Sequence, residues 1–137
     1  MKLITFLDNK NGLLFHRRRQ SQDRALRTYI KNMTAGCRIY MNTFTHELYH
    51  DFPNTVVCDD FLSKAGANDY CLLEDCPAKE YESCIRELII FRWNKIYPAD
   101  VYFDLDLSDW QLEETEEFEG YSHHITKERY RKEKLLR

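Results

Sequence analysis

One stretch, residues 87–110, restricts the folds open to this 137-residue chain more than any other. Leu88, Ile89, Ile90 and Phe91 form a continuous apolar run of the kind found in a strand buried on both faces. Pro98 then breaks the pattern. Beyond it Val101, Phe103, Leu105 and Leu107 alternate with Tyr102, Asp104, Asp106 and Ser108, the period-2 mark of an extended segment with one buried face. Trp110 closes the stretch, and an acidic run from Glu113 to Glu119 follows it.

A strand covered on both faces needs helices on both sides, and the rest of the chain supplies them. Residues 2–7 read as a buried first strand, ended by the turn chemistry of Asp8, Asn9, Lys10, Asn11 and Gly12. Leu26, Tyr29, Ile30 and Met33 fall at helical spacing, which predicts a helix over 21–33 with Gly36 as its stop. A second strand follows at 38–41. Residues 43–51 should form a short helix that Pro53 cannot continue. Third and fourth strands are expected at 55–58 and 70–73, with a helical turn at 61–64 between them. Pro77 suits the first position of a helix carrying Tyr81 and Ile85 inward. Strands alternating with helices up to residue 92 argue for a parallel sheet with crossover helices. After Trp110 the strands should turn antiparallel. The tail from Thr126 is rich in helix formers, yet Ile125 favours a last strand from about His124, fraying after Arg131.

Composition narrows the function classes. At this length, 43% hydrophobic residues suit one domain, 1–137, with a genuine core. A net charge of −3 gives no global field for nucleic acid or an acidic membrane surface. No apolar run is long enough for a signal peptide or a membrane span, so the cytoplasm is expected. The five cysteines are odd in number and show no Cys-x-x-Cys pair, which suits reduced, mostly buried thiols.

Two clusters carry chemistry. His46, Glu47 and His50 match His-Glu-x-x-His, which on a helix puts both imidazoles on one face for zinc while the glutamate activates a bound water. Pro53 ends that helix within a turn, and a further ligand would have to be improvised from Asp51 or Glu74. The other reading is an ordinary helix face. Arg17, Arg18 and Arg19 belong to the strongest positive cluster, 16–24, a loop able to close over an anionic ligand through phosphate or carboxylate contacts. Its alternative is a solvated loop paired with the acids of 113–119. Without interleaved aromatics it is poorly suited to RNA. His123 and His124 are adjacent, so on a strand they would point to opposite faces, and no role is assigned to them.

The order of these elements resembles the dihydrofolate reductases. The carriers are Leu3-Ile4 through Asp8 and Asn11-Gly12, the strand Ile39-Tyr40-Met41, Tyr81, and the run from Tyr97-Pro98-Ala99-Asp100 to Trp110. The resemblance implies a three-layer α/β sandwich with a mostly parallel central sheet and an antiparallel C-terminal strand. It also implies an NADPH-dependent oxidoreductase site in which Thr45 and Tyr81 border the ligand. The chain is shorter than those enzymes, as though part of the adenosine side had been removed.

The departures fall where that chemistry should be. Cys76-Pro77, preceded by Glu74 and Asp75, stand where the family's Gly-Gly pair admits the cofactor pyrophosphate. The family's Met-Gly-Arg is replaced by Met41-Asn42-Thr43, and its Pro-Gly-Arg turn by Pro53-Asn54. Phe91 stands for the threonine that supports the catalytic carboxylate. Leu26 takes the carboxylate's own place, and a shift of one helical turn brings in Asp23, whose pKa an apolar pocket would raise for proton donation. As a bland alternative, Asp23 is a solvated charge at a helix start. These losses argue for a repurposed pterin- or nucleotide-type ligand-binding domain bordered by Arg17, Arg18, Arg19, Thr45 and Tyr81. The alternatives are a reductase with altered NADPH contacts, a zinc hydrolase, and a protein-interaction module.

Overall fold

The computed structural model describes residues 1–132. Two sheets organise it. The larger has seven strands, and its centre is β1 (Lys2–Leu7), flanked by parallel neighbours on both sides. On one side lie β6 (Tyr70–Leu73), β4 (Ile39–Met41) and β5 (Thr55–Val57), all parallel. On the other lies β7 (Glu87–Arg92), then β10 (His124–Lys132) and β9 (Trp110–Glu119), joined by antiparallel pairings. The tail expected to be strand is strand, because Ile125 and Tyr130 bury their side chains against the sheet. Strand β10 continues through Lys132, and the rest of the tail, where fraying was expected, lies outside the described residues.

Alternation along the central strands divides the core into two layers. Leu3, Leu7, Leu88 and Ile90 pack on one face, Ile4, Phe6, Ile89 and Phe91 on the other. The second face is covered by α1 (Arg24–Met33), which presents Leu26 and Ile30, both almost fully buried. That helix begins at Arg24 rather than Ser21, because Asp23 caps it by accepting from the Leu26 amide at 3.0 Å. The first face is covered by α3 (Phe61–Lys64) and by Phe103 and Leu105 of the alternating segment.

Three elements differ from expectation. Residues expected to form one basic loop pair into a small sheet, β2 (Gly12–Phe15) with β3 (Arg18–Arg19) on one side and β8 (Val101–Tyr102) on the other. The helix expected from Pro77 is a 3₁₀ helix, Lys79–Cys84. Asp104 accepts from the Ala78 and Lys79 amides at 2.8 and 3.0 Å and so starts the turn two residues late, leaving little length before β7. Finally α2 (Thr43–Leu48) stops before Asp51. No helix among the described residues is long and apolar enough to cross a membrane.

Candidate functional site at the carboxyl ends of the parallel strands

In an open parallel sheet the backbone leaves a crevice beyond the strands' carboxyl ends, where ligands bind. Here β1 runs into Asp8, β4 into Asn42 and β6 into Glu74. Asp8 is fully buried, and one carboxylate oxygen accepts from the Lys10 and Gly12 amides, both at 2.8 Å. Its other oxygen accepts from the Tyr97 amide at 3.0 Å and from the Gln20 side chain at 3.4 Å. Asp8 therefore fixes the entry of the β2–β3 hairpin over the crevice.

That hairpin delivers Arg19 across the opening. Its guanidinium donates to both carboxylate oxygens of Glu74, at 2.7 and 2.8 Å, and to the Phe44 carbonyl at 3.0 Å, while lying 4.2 Å from the Phe44 ring centroid. The Glu74 side chain is buried and that of Arg19 is 15% exposed. Burial pushes the Glu74 carboxyl above its ordinary range, and the bonds from Arg19 only partly oppose this. Burial also works against the charge on Arg19, but its bonds to Glu74 prevail and hold it firmly protonated.

Behind this pair remains a cavity of about 20 Å³, bordered by Phe6, Leu13, Gln20, Leu26, Tyr49 and Trp93. One water molecule needs ~10–15 Å³ on this measure, so the space holds about one water and no fused ring. Buried Gln20 Oε1 has no hydrogen-bond partner, and Thr45 Oγ1 makes no well-formed hydrogen bond but lies near enough to Glu74 to favour its ionised form. Thr45 is fully buried in α2, whose start is capped by Asn42 accepting from the Thr45 amide at 3.0 Å. Asn42 also donates to Asp75 at 2.8 Å. The two carboxylates just ahead of Cys76-Pro77, the pair that stands where the resemblance expects glycines, are thus each held by a side chain from across the crevice.

The other sequence-derived residues are dispersed. Arg17 and Arg18 are exposed at the hairpin tip, and neither makes a side-chain hydrogen bond or ion pair among the described residues. They do not reach the acids of 113–119, which pair instead with β10: Lys127 with Glu114, Arg129 with Glu113 and Glu114, Arg131 with Glu113. Tyr81 borders a groove of about 190 Å³ whose lining includes Asp59, Asp60, Glu80 and Cys76 and no cation. Burial pushes the Cys76 and Cys71 thiols up to about 12, so neither is a ready thiolate. All five cysteines are unpaired, but only Cys71 is fully buried, and Cys84 is exposed.

Asp23 is buried, not solvated. It accepts from the Leu26, Tyr121 and Ser122 amides at 3.0, 3.0 and 3.1 Å. Burial alone would raise its pKa, but these three donors outweigh it and the net shift is downward. The raised pKa expected for proton donation is therefore not the one this environment produces. The zinc reading also fails on geometry. Since α2 ends at Leu48, His50 lies beyond the cap at Tyr49 and does not share a helical face with His46. His50 turns back to the Glu47 carbonyl, 3.2 Å from its Nδ1. Among the described residues no three His, Cys, Asp or Glu groups converge to hold a metal.

Asp8 and His123 were given no site role in the sequence, and Gln20 and Ser21 stood there only as members of the 16–24 loop. Asp8 carried a signal, an aspartate two residues before a lysine and four before a glycine in a turn. His123, whose ring lies 2.9 Å from Ser21 Oγ and 5.2 Å from the Trp93 ring, carried none.

No family model matches the sequence, and no curated protein matches it. Among solved structures the chain is similar to a dihydrofolate reductase from Enterococcus faecalis, complexed with NADP(H) and RAB-propyl. The TM-score is 0.69 at 13% identity, covering 97% of this chain and 96% of that one. The fold of the chain is that of the dihydrofolate reductases, and the likeness runs through nearly the whole of both.

Proposed function

We propose that the chain is a dihydrofolate reductase-fold domain repurposed for binding a pterin- or nucleotide-type ligand, without ordinary NADPH-dependent dihydrofolate reduction. The observation that carries this reading is the Arg19–Glu74 pair lying across the crevice. A reductase must hold a nicotinamide and a pterin face to face, and behind this pair there is room for about one water. NADPH does not fit the residues present. Its phosphates would meet Glu74 and Asp75 at the end of β6, and the groove beside Tyr81 is lined by Asp59, Asp60 and Glu80 with no cation. Leu26, fully buried, stands where the resemblance puts the proton donor.

A ligand suited to this crevice brings an anionic group that takes Arg19 from Glu74, and donors for Gln20 Oε1 and Thr45 Oγ1. Arg17 and Arg18 add outer contacts to the same anion. The expected setting is the cytoplasm. A second reading, an active reductase with altered cofactor contacts, rests on the likeness to a reductase solved with NADP(H). Calorimetric titration with NADPH, alone and with dihydrofolate, separates the two. No heat of binding at millimolar NADPH is expected, and micromolar binding would overturn the proposal and call for a turnover assay.

A further inference from the structure

At the edge of the crevice, where Ser21, Asp23 and Trp93 help to line the small cavity, a second group of side chains has the geometry of a reactive pair. Ser21, just ahead of α1, has its Oγ 2.9 Å from Nε2 of His123. On the other side of the ring, Nδ1 lies 2.8 Å from Ser122 Oγ and 3.7 Å from Asp23 Oδ2. In the tautomer with its proton on Nδ1, the imidazole donates to Ser122 and accepts at Nε2 from the Ser21 hydroxyl. The ring is fixed in place: it rests on buried Trp93, and only 15% of its side chain is exposed. The Asp23 side chain is fully buried and held by the amides of Tyr121 and Ser122, so its negative charge cannot swing away from the ring.

Next to this group a groove of about 220 Å³ is lined by Gln22, Asp23, Arg24, Arg27, Tyr121 and Ser122. Arg24 lies 4.9 Å from the Tyr121 ring centroid, and neither Arg24 nor Arg27 makes an ion pair among the described residues. This groove shares Gln22, Asp23 and Arg27 with the small cavity that Ser21 borders, so two cations free to meet a carboxylate stand close to the segment that carries a hydroxyl already bonded to a base.

We propose that Ser21 and His123 form an acyl-transfer pair, positioned by Ser122 and Asp23, that hydrolyses small carboxylate-bearing esters held by Arg24 and Arg27. Ser21 Oγ bonds to the ester carbonyl carbon as its proton passes to His123 Nε2. The bond from that carbon to the alcohol oxygen then breaks, and the departing oxygen takes the proton from Nε2. Water next attacks the acyl carbon, giving a proton to Nε2. Ser21 Oγ leaves and recovers that proton, so ester and water become acid and alcohol.

The test uses the full chain with a biotinylated fluorophosphonate and 4-nitrophenyl hemisuccinate. Peptide mass spectrometry should place the phosphonyl adduct on Ser21, with labelling slowed by about 100-fold or more in His123→Asn. Hemisuccinate hydrolysis should fall to background in Ser21→Ala and stay unchanged in Ser63→Ala, whose hydroxyl bonds the distant Asp60 carbonyl. Arg24→Ala/Arg27→Ala should raise KM for the hemisuccinate and leave 4-nitrophenyl acetate untouched. Ser122→Ala should lower kcat while KM holds, as expected of a residue that only orients the ring. Should His123→Asn or Ser21→Ala fail to fold, Ser21→Cys keeps the proposal open to refutation, since the new thiol should be alkylated by iodoacetamide faster than exposed Cys84. An adduct elsewhere than Ser21, equal hydrolysis by wild type and Ser21→Ala, or alkylation no faster than at Cys84 overturns it.

Discussion

Arg19 and Glu74 are 55 residues apart in sequence and bonded through both carboxylate oxygens, so the β2–β3 hairpin and the end of β6 are joined across the crevice. A buried pair of this kind returns little net stability, because removing two charges from water costs nearly what their attraction returns. Its effect here is steric and electrostatic: it occupies the crevice and fixes the hairpin over it.

The two single changes should therefore be far worse than the double. Arg19→Met leaves Glu74 buried without a cation and should cost about 3–5 kcal/mol in urea unfolding, while Arg19→Met/Glu74→Met should recover most of that loss. The sign of the pH dependence follows from the raised carboxyl pKa. Ionised Glu74 is disfavoured in the fold, so the Arg19→Met deficit should be full at neutral pH and shrink as pH falls through the folded pKa toward the ordinary carboxylate range. A deficit independent of pH would show that Glu74 is not the source of the cost.

Much of the fold was legible because it is written in local periodicity. The run Leu88–Phe91 and the alternation from Val101 to Leu107 mark burial on two faces and on one face, and Leu88, Ile89, Ile90, Phe91, Phe103 and Leu105 are all buried. The β2–β3 hairpin was not legible, since a two-residue strand of Arg18 and Arg19 has no period to read. The 3₁₀ turn after Pro77 depends on Asp104, 26 residues from Ala78, and local propensity says nothing of it. The site was the least legible part. Residue types flagged Arg19 and Asp23 as charged, but their partners, Glu74 and the Tyr121 and Ser122 amides, come from distant segments that only the packed sheet brings near.

Asp23 should govern the acid limb of stability. Its pKa is depressed in the fold, so its contribution is complete above the ordinary aspartate range and is lost as pH falls through the folded value. Asp23→Asn should unfold at lower urea than wild type at pH 6, and the gap should close as pH falls below about 4, near the model-peptide value. Asparagine keeps the helix cap, since its side-chain oxygen can still accept from the Leu26 amide, so the gap reads the carboxylate charge and the bond of its second oxygen to the Ser122 amide. A constant gap from pH 6 to pH 2 would mean that the carboxylate charge plays no part.

Gly120 tests the same clamp from the other side. A methyl group there would press on the Asp23 carboxylate and come within 2.8 Å of Ile125 Cδ1, and both neighbours are buried. Neither can yield without losing its own contacts. Gly120→Ala should cost about 1–3 kcal/mol by overpacking, and amide exchange should quicken at Tyr121 and Ser122, whose hydrogen bonds to Asp23 would be displaced. Unchanged exchange at those two amides would show that the turn absorbs the methyl group.

His124 offers a titration free of the crevice. Its Nε2 lies 2.7 Å from Glu117 and its Nδ1 2.8 Å from Glu119, so both ring nitrogens face carboxylates on β9, and bonds to the charged ring hold its pKa above the ordinary 6.5. A raised folded pKa places its contribution to stability below that ordinary value, to be lost as pH rises through the folded one. The ring is exposed, so the contribution should weaken with salt. Proton NMR should show the His124 ring signals titrating above 6.5, and Glu117→Gln/Glu119→Gln should bring the midpoint back to that value. The two carboxylates join strand β9 to the start of β10, so the same double variant should also loosen the 119–124 turn, read as faster amide exchange at Gly120, whose amide bonds to the His123 carbonyl. A midpoint that stays at 6.5 in the wild type would place His124 in open solvent, unpaired from Glu117 and Glu119.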